Sequence, residues 1–101
     1  MKKILLCCSA GMSTSMLVKK MEQAAQARGI VCEIEALAVN AFNDAIKEYD
    51  VCLLGPQVRF QLEELKKVAD EHGKNIAAIS PQDYGMMKGD EVLTQALGLI
   101  K

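Results

Sequence analysis

Leu5-Leu6-Cys7-Cys8-Ser9-Ala10-Gly11-Met12-Ser13-Thr14-Ser15 changes character at Cys8, from an apolar run to small and hydroxylated residues. A helix-forming segment, Met16 to Arg28, follows at once. The pattern predicts strand, loop, helix, with Cys8 at the C-terminal end of the first strand. In an open parallel sheet, sites lie outside the C-terminal ends of the strands. The N-terminus of the next helix aims its unpaired N–H groups at the same place. A thiol there meets two conditions for reactivity, a helix dipole that favours thiolate and access to solvent. A cradle that favours a thiolate also favours a phosphate dianion on its sulfur.

Working outward, residues 3–8 read as strand one, with Ile4-Leu5-Leu6-Cys7 apolar on both faces, as in a central parallel strand covered on each side. Residues 9–13 form the loop. Helix one runs from about Ser13 or Thr14 to Arg28. Leu17, Met21, Ala24 and Ala25 form its apolar stripe, Arg28 meets the surface, and Gly29 is suited to the C′ position. Residues 31–38 form strand two, where Glu33 and Glu35 on one face mark a solvated edge. Asn40 to Lys47 is a short helix or turn. Asp50 to Leu54 is strand three, ended by Gly55-Pro56-Gln57. Helix two spans about Val58 to Glu71, with Val58, Leu62, Leu65 and Ala69 buried and Glu63–Lys67 paired outside. Asn75 to Ile79 is strand four, Ser80 to Lys88 a polar loop. Helix three starts near Gly89 or Asp90, with Asp90 as N-cap and Leu93, Ala96, Leu97 and Ile100 on its apolar face.

This alternation predicts one α/β domain over residues 1–101, an open four-stranded parallel sheet with helices on both faces. An edge strand two and central strands one and three give the order 2-1-3-4. The Cys8 loop then sits beside Gly55-Pro56-Gln57 and the Ser80–Lys88 loop.

The whole chain narrows the function classes. The 101 residues are half apolar and a quarter charged, with a net charge of −1, which offers no basic footprint for nucleic acid. No apolar run approaches the roughly 20 residues of a membrane span. The start, Met1-Lys2-Lys3-Ile4-Leu5-Leu6-Cys7, has too few apolar residues for a secretory signal, which needs about 7–15. Cys7, Cys8, Cys32 and Cys52 contain no C-x-x-C pair, so they read as thiols of a reducing, cytoplasmic compartment. Cys7, Cys32 and Cys52 read as core residues and Cys8 as the functional one. No metal and no cofactor is expected.

Within the loop, one hydroxyl suffices as an N-cap. Ser9, Ser13, Thr14 and Ser15 exceed that need, and with the backbone N–H groups they would form an anion nest. Gly11 lets the backbone approach the anion. Neither a Walker loop nor a dinucleotide fingerprint is present. His72, the only histidine, reads as a helix C-terminal dipole partner. Tyr84 reads equally as a packing residue or as a wall of the site. Cysteine phosphatases place an arginine at the sixth position after the cysteine. Here that position is Thr14, and the loop holds no arginine. Without a bidentate guanidinium, a site that holds a phosphoryl group on sulfur and hands it over fits better than one that hydrolyses it.

Cys8-Ser9-Ala10-Gly11-Met12-Ser13-Thr14-Ser15, followed by Met16-Leu17-Val18, resembles the active-site loop of IIB components of the sugar phosphotransferase system, in the lactose/cellobiose (chitobiose) branch. Leu53-Leu54-Gly55-Pro56-Gln57 and Tyr84-Gly85 are similar to that family at matching distances. The resemblance implies a fold like that of the small cysteine phosphatases and a phosphotransferase activity. Cys8 would take a phosphoryl group from a phosphohistidine of a IIA protein, and residues Ser9 to Ser15 would hold it. It would then pass to a sugar on the membrane IIC permease, such as the β-linked disaccharides cellobiose, chitobiose or lactose. Ala10, Met12, Pro56 and Tyr84 are candidates for the docking face of such a monomeric carrier. A small cysteine-dependent phosphatase and a non-transporting regulatory IIB-like module are the alternatives.

Overall fold

A computed structural model describes residues 2–8 and 12–100 of the chain. Strand β1 (Lys2–Cys8) leads to helix α1 (Met12–Arg28) and strand β2 (Cys32–Ala38). A short helix α2 (Phe42–Ala45), flanked by 3₁₀ turns at Val39–Ala41 and Ile46–Glu48, returns to β3 (Val51–Leu54). A 3₁₀ segment, Pro56–Gln61, enters α3 (Leu62–Glu71), followed by β4 (Asn75–Ala78), α4 (Pro81–Gly85) and α5 (Gly89–Leu99). The four strands pair in parallel in the order β2-β1-β3-β4, as the sequence predicts.

The doubly covered character of β1 follows from side-chain alternation along the strand. Ile4 and Leu6 enter one core with Leu17, Met21, Val92, Leu93 and Ala96 of α1 and α5. Leu5 and Cys7 enter a second core with Phe42 of α2 and with Leu65 and Ala69 of α3. Ile4, Leu5, Leu6 and Cys7 have no exposed surface at all. Burying a Leu or Ile side chain stabilises by about 1.5–3 kcal/mol, so this short run anchors both layers. At the edge, Glu35 of β2 accepts a hydrogen bond from the Tyr49 hydroxyl, and Glu33 pairs with Lys3 at 3.7 Å.

Two helices end at left-handed glycines, Gly29 as the sequence predicts. Gly29 has φ +68°, and Ile30 N–H reaches back to the Ala25 carbonyl at 2.9 Å. Gly73 has φ +69°, and Lys74 N–H donates to the Ala69 carbonyl at 2.9 Å. Both are left-handed caps that reclaim helix carbonyls.

Four expectations are corrected. The polar loop Ser80–Lys88 contains α4. Ser80 Oγ accepts from Asp83 N–H at 3.1 Å and Pro81 fills the first helical position, a complete N-terminal signal for a helix of one turn. Asp90 does not cap α5. The cap position is Lys88, without a side-chain hydrogen bond, and the Asp90 carboxylate is taken by Arg28 of α1. The α-helical part of helix two starts at Leu62 rather than Val58, because Pro56 starts a tighter 3₁₀ segment. The ion pair on α3 joins Lys66 and Asp70 at 3.4 Å, not Glu63 and Lys67. Exposed pairs are worth about 0–1 kcal/mol, so little energy selects between them.

Gly89, at the start of α5, lies against the backbone of α1. A Cβ there would stand 2.5 Å from the Lys20 carbonyl carbon and 2.6 Å from Met21 N. Arg28 closes the far end of the same crossing, donating to Thr94 Oγ1 at 2.7 Å and to the Asp90 carboxylate.

Candidate active site

Cys8 ends β1, opposite Ala38 of β2, and α1 begins at Met12. The N–H groups of the first turn of α1 therefore open toward the C-terminal end of the sheet. On the other side of β1, Gly55 follows the last residue of β3 and donates its N–H to the Cys7 carbonyl at 2.8 Å. That bond carries the β1–β3 pairing past Leu54 and brings Gly55 beside Cys8. A Cβ built on Gly55 would stand 3.3 Å from Cys8 Cβ. The end of β4 is tied in by Ile79 N–H, which donates to the Leu54 carbonyl at 2.8 Å. The convergence of the Cys8 and Gly55-Pro56-Gln57 segments is thus as the sequence predicts.

Accessibility is not. Cys8 is only 2 % exposed, so the thiol lies at the C-terminal end of β1 but under cover. Gly55, remote in sequence, is one neighbour that lies against it, its Cβ position 3.3 Å from Cys8 Cβ.

The other cysteines are separated from Cys8 by the period of the strand. Cys7 points into the opposite core, where its Sγ lies 3.8 Å from Sγ of Cys52. Burial and the Cys7 contact hold the Cys52 thiol well above its usual range. Cys32 pairs with Lys2 at the far end of β1 and β2. Partial burial, then Glu22, push its thiol up, against a lowering by Lys2. The three read as core or edge residues, and Cys8 alone stands where a helix N-terminus and a strand end meet.

Ser9, Ala10 and Gly11 lie outside the described residues, as do the side chains of Met12, Ser13 and Thr14. Ser15 is exposed on α1. Tyr84 is 8 % exposed and packs into the core shared by α1 and α5. Pro56 remains half-buried beside the site. Phe60 and Met86, at 79 % and 63 %, are the large apolar residues exposed in the segments after β3 and β4. Sequence reasoning missed them because apolar residues in turns carry no periodic signal.

A groove of about 330 Å³ runs between α1 and β2, lined by Val18, Lys19, Glu22, Ile34 and Leu37, with Ser15 toward the Cys8 end. Among the described residues no group of three or more His, Cys, Asp or Glu side chains is placed to hold a metal ion. No described helix is long and apolar enough to cross a membrane.

Residues 3–95 match the family model described as "PTS system, Lactose/Cellobiose specific IIB subunit". The chain belongs to this family. It is 43 % identical over 100 residues to the oligo-beta-mannoside-specific EIIB component of Bacillus subtilis (strain 168), covering 99 % of this chain and 97 % of that one. It is 44 % identical over 104 residues to the galactose-specific EIIB component of Lactococcus lactis subsp. cremoris (strain MG1363), covering 98 % and 96 %. The cellobiose-specific IIB component from Borrelia burgdorferi superposes with a TM-score of 0.82 at 40 % identity, over 98 % of this chain and 91 % of that one. A IIB component of the lactose/cellobiose type is a phosphotransferase of sugar transport, and it implies IIA and IIC partners.

Proposed function

We propose that this chain is a single, monomeric, cytoplasmic IIB-type phosphocarrier domain in which Cys8 carries the phosphoryl group. The observation that carries the reading is the position of Cys8, which ends the central strand immediately before α1 and sits within 3.3 Å of the Cβ position of Gly55. In the first step the Cys8 sulfur attacks the phosphorus of a phosphohistidine on the IIA protein. The S–P bond forms, the N–P bond breaks, and the thiol proton ends on the released imidazole. In the second step a sugar hydroxyl on the IIC permease attacks the same phosphorus. The O–P bond forms, the S–P bond breaks, and the hydroxyl proton returns to sulfur.

Holding the group between steps falls to Ser9, Ala10, Gly11, Met12, Ser13, Thr14 and Ser15, through backbone N–H groups and hydroxyls at the start of α1. A phosphate there gains roughly 0.3–1 kcal/mol from the helix dipole, and up to about 2 when partly buried. The absence of arginine from this stretch suits a carrier, which must release what it holds. Sugar choice rests with the permease, and a β-linked disaccharide is the class we favour. Phe60, Met86 and Pro56 supply apolar surface for docking.

The test is intact-mass analysis after incubation with phosphoenolpyruvate, the general phosphotransfer proteins and the IIA protein. Wild type should gain one phosphoryl group, labile to iodine, and Cys8→Ser none. An unmodified wild type beside a functioning IIA protein would reject the assignment and point to the phosphatase alternative, assayed with an aryl phosphate.

A further inference from the structure

We propose that the side-chain amide of Gln57 is a hydrogen-bond donor to the phosphoryl group carried by Cys8. This rests on the Cys8 reading above. The geometry comes from Gly55. The point where a Cβ would stand on Gly55 lies 3.3 Å from Cys8 Cβ and 2.8 Å from Gln57 Oε1. The amide of Gln57 and the Cys8 side chain therefore border one small space. Their separation cannot exceed the sum of those two distances, and a phosphoryl group on Sγ projects beyond Cβ.

Gly55 is not required by the backbone. Its φ of −61° and ψ of 153° suit any residue. What its missing side chain supplies is room between Gln57 and Cys8. The turn that follows explains how Gln57 reaches it. Val58 N–H donates to the Gly55 carbonyl at 3.0 Å, which closes the chain over Pro56 and returns the side chain of Gln57 toward Gly55. Gln57 is an exposed residue, so nothing in packing obliges its amide to fold inward.

The chemistry fits the task. A terminal amide offers a donor at one end and an acceptor at the other, and rotation of its last torsion exchanges them. Turned with Nε2 inward, it donates to a phosphoryl oxygen. Bonds to an ionised acceptor are the stronger kind. A neutral donor holds the group without the bidentate grip of a guanidinium.

The experiment uses the whole chain, phosphorylated through the IIA protein, as wild type, Gln57→Leu and the isosteric Gln57→Glu. It follows the rate of phosphocysteine formation and the ³¹P shift of the phosphoryl group against pH. Donation favours the dianion, so Gln57→Leu should move the phosphoryl titration to higher pH, and Gln57→Glu further in the same direction. Both should slow transfer by roughly tenfold, the worth of one bond to a charged group. Thermal midpoints should stay at the wild-type value, since the residue is exposed. A titration and rate equal to wild type in Gln57→Leu would overturn the proposal. Failure of wild type itself to be phosphorylated on Cys8 would instead remove the reading beneath it, and the proposal with it.

Discussion

Cys7 and Cys52 face each other across β1 and β3 with 3.8 Å between their Sγ atoms, in the core formed with α2 and α3. Cys8, the next residue along, belongs to the other side of the sheet, with Gly55. Two adjacent cysteines thus have separate environments, because alternation along a strand sends neighbours to opposite faces.

Cys7→Ser tests that separation. It places a hydroxyl in a fully buried, apolar setting, which should lower stability by about 1–3 kcal/mol in urea denaturation. Phosphoryl acceptance by the folded variant should match wild type. A loss of acceptance in folded protein would show that the two faces are coupled.

Alkaline pH should destabilise the fold. The Cys52 thiol is held above its usual value of 9.0 by burial and by Cys7. The Tyr49 hydroxyl is held well above 10.0 by burial and by its hydrogen bond to Glu35. In both cases the folded state keeps a proton that the unfolded chain releases. Stability is therefore complete below the unfolded values and falls as pH rises through and above them. Chemical denaturation at pH 7 to 11 should show that decline, and Cys52→Ala combined with Tyr49→Phe should flatten it.

Gly89→Ala should loosen the α1–α5 crossing. The added methyl would meet backbone atoms of Lys20 and Met21, which cannot rotate away as a side chain could. Overpacking of this kind costs about 1–3 kcal/mol. A thermal midpoint equal to wild type would mean that α5 shifts without penalty.

Ser80→Ala removes the oxygen that accepts from Asp83 N–H and caps α4. The expected loss is about 0.5–2 kcal/mol. Because Tyr84 lies within α4 and fills the core beside α5, its fluorescence should report the change. Ser80→Asp, which retains an acceptor, should recover most of the stability.

Much of the architecture was legible in local pattern. Continuous apolar runs at β1 and β3 mark strands covered on both faces, and the glutamates of β2 mark an edge. Those signals place β2 at an edge of the sheet and β1 and β3 inside it. The misreadings arose where a local signal had a distant competitor or was very short. Asp90 looks like a helix cap, but its carboxylate is claimed by Arg28. Ser80-Pro81-Gln82-Asp83 carries every mark of a helix start, yet α4 runs only five residues and is hidden among loop-like ones.

By itself the sequence determined the alternation of strands and helices, their order in the sheet, and the place of Cys8 at the end of β1. These depend on residues a few positions apart, through periodicity, capping and turn chemistry. Only the tertiary structure decided that Cys8 is covered, that Cys7 meets Cys52, that Tyr84 packs into the core beside α5, and that the Gln57 side chain returns to Gly55, which also borders Cys8. Those facts depend on strand register and on contacts between segments far apart in the chain. Such contacts exist only once the chain has closed on itself, and no local pattern encodes their distances.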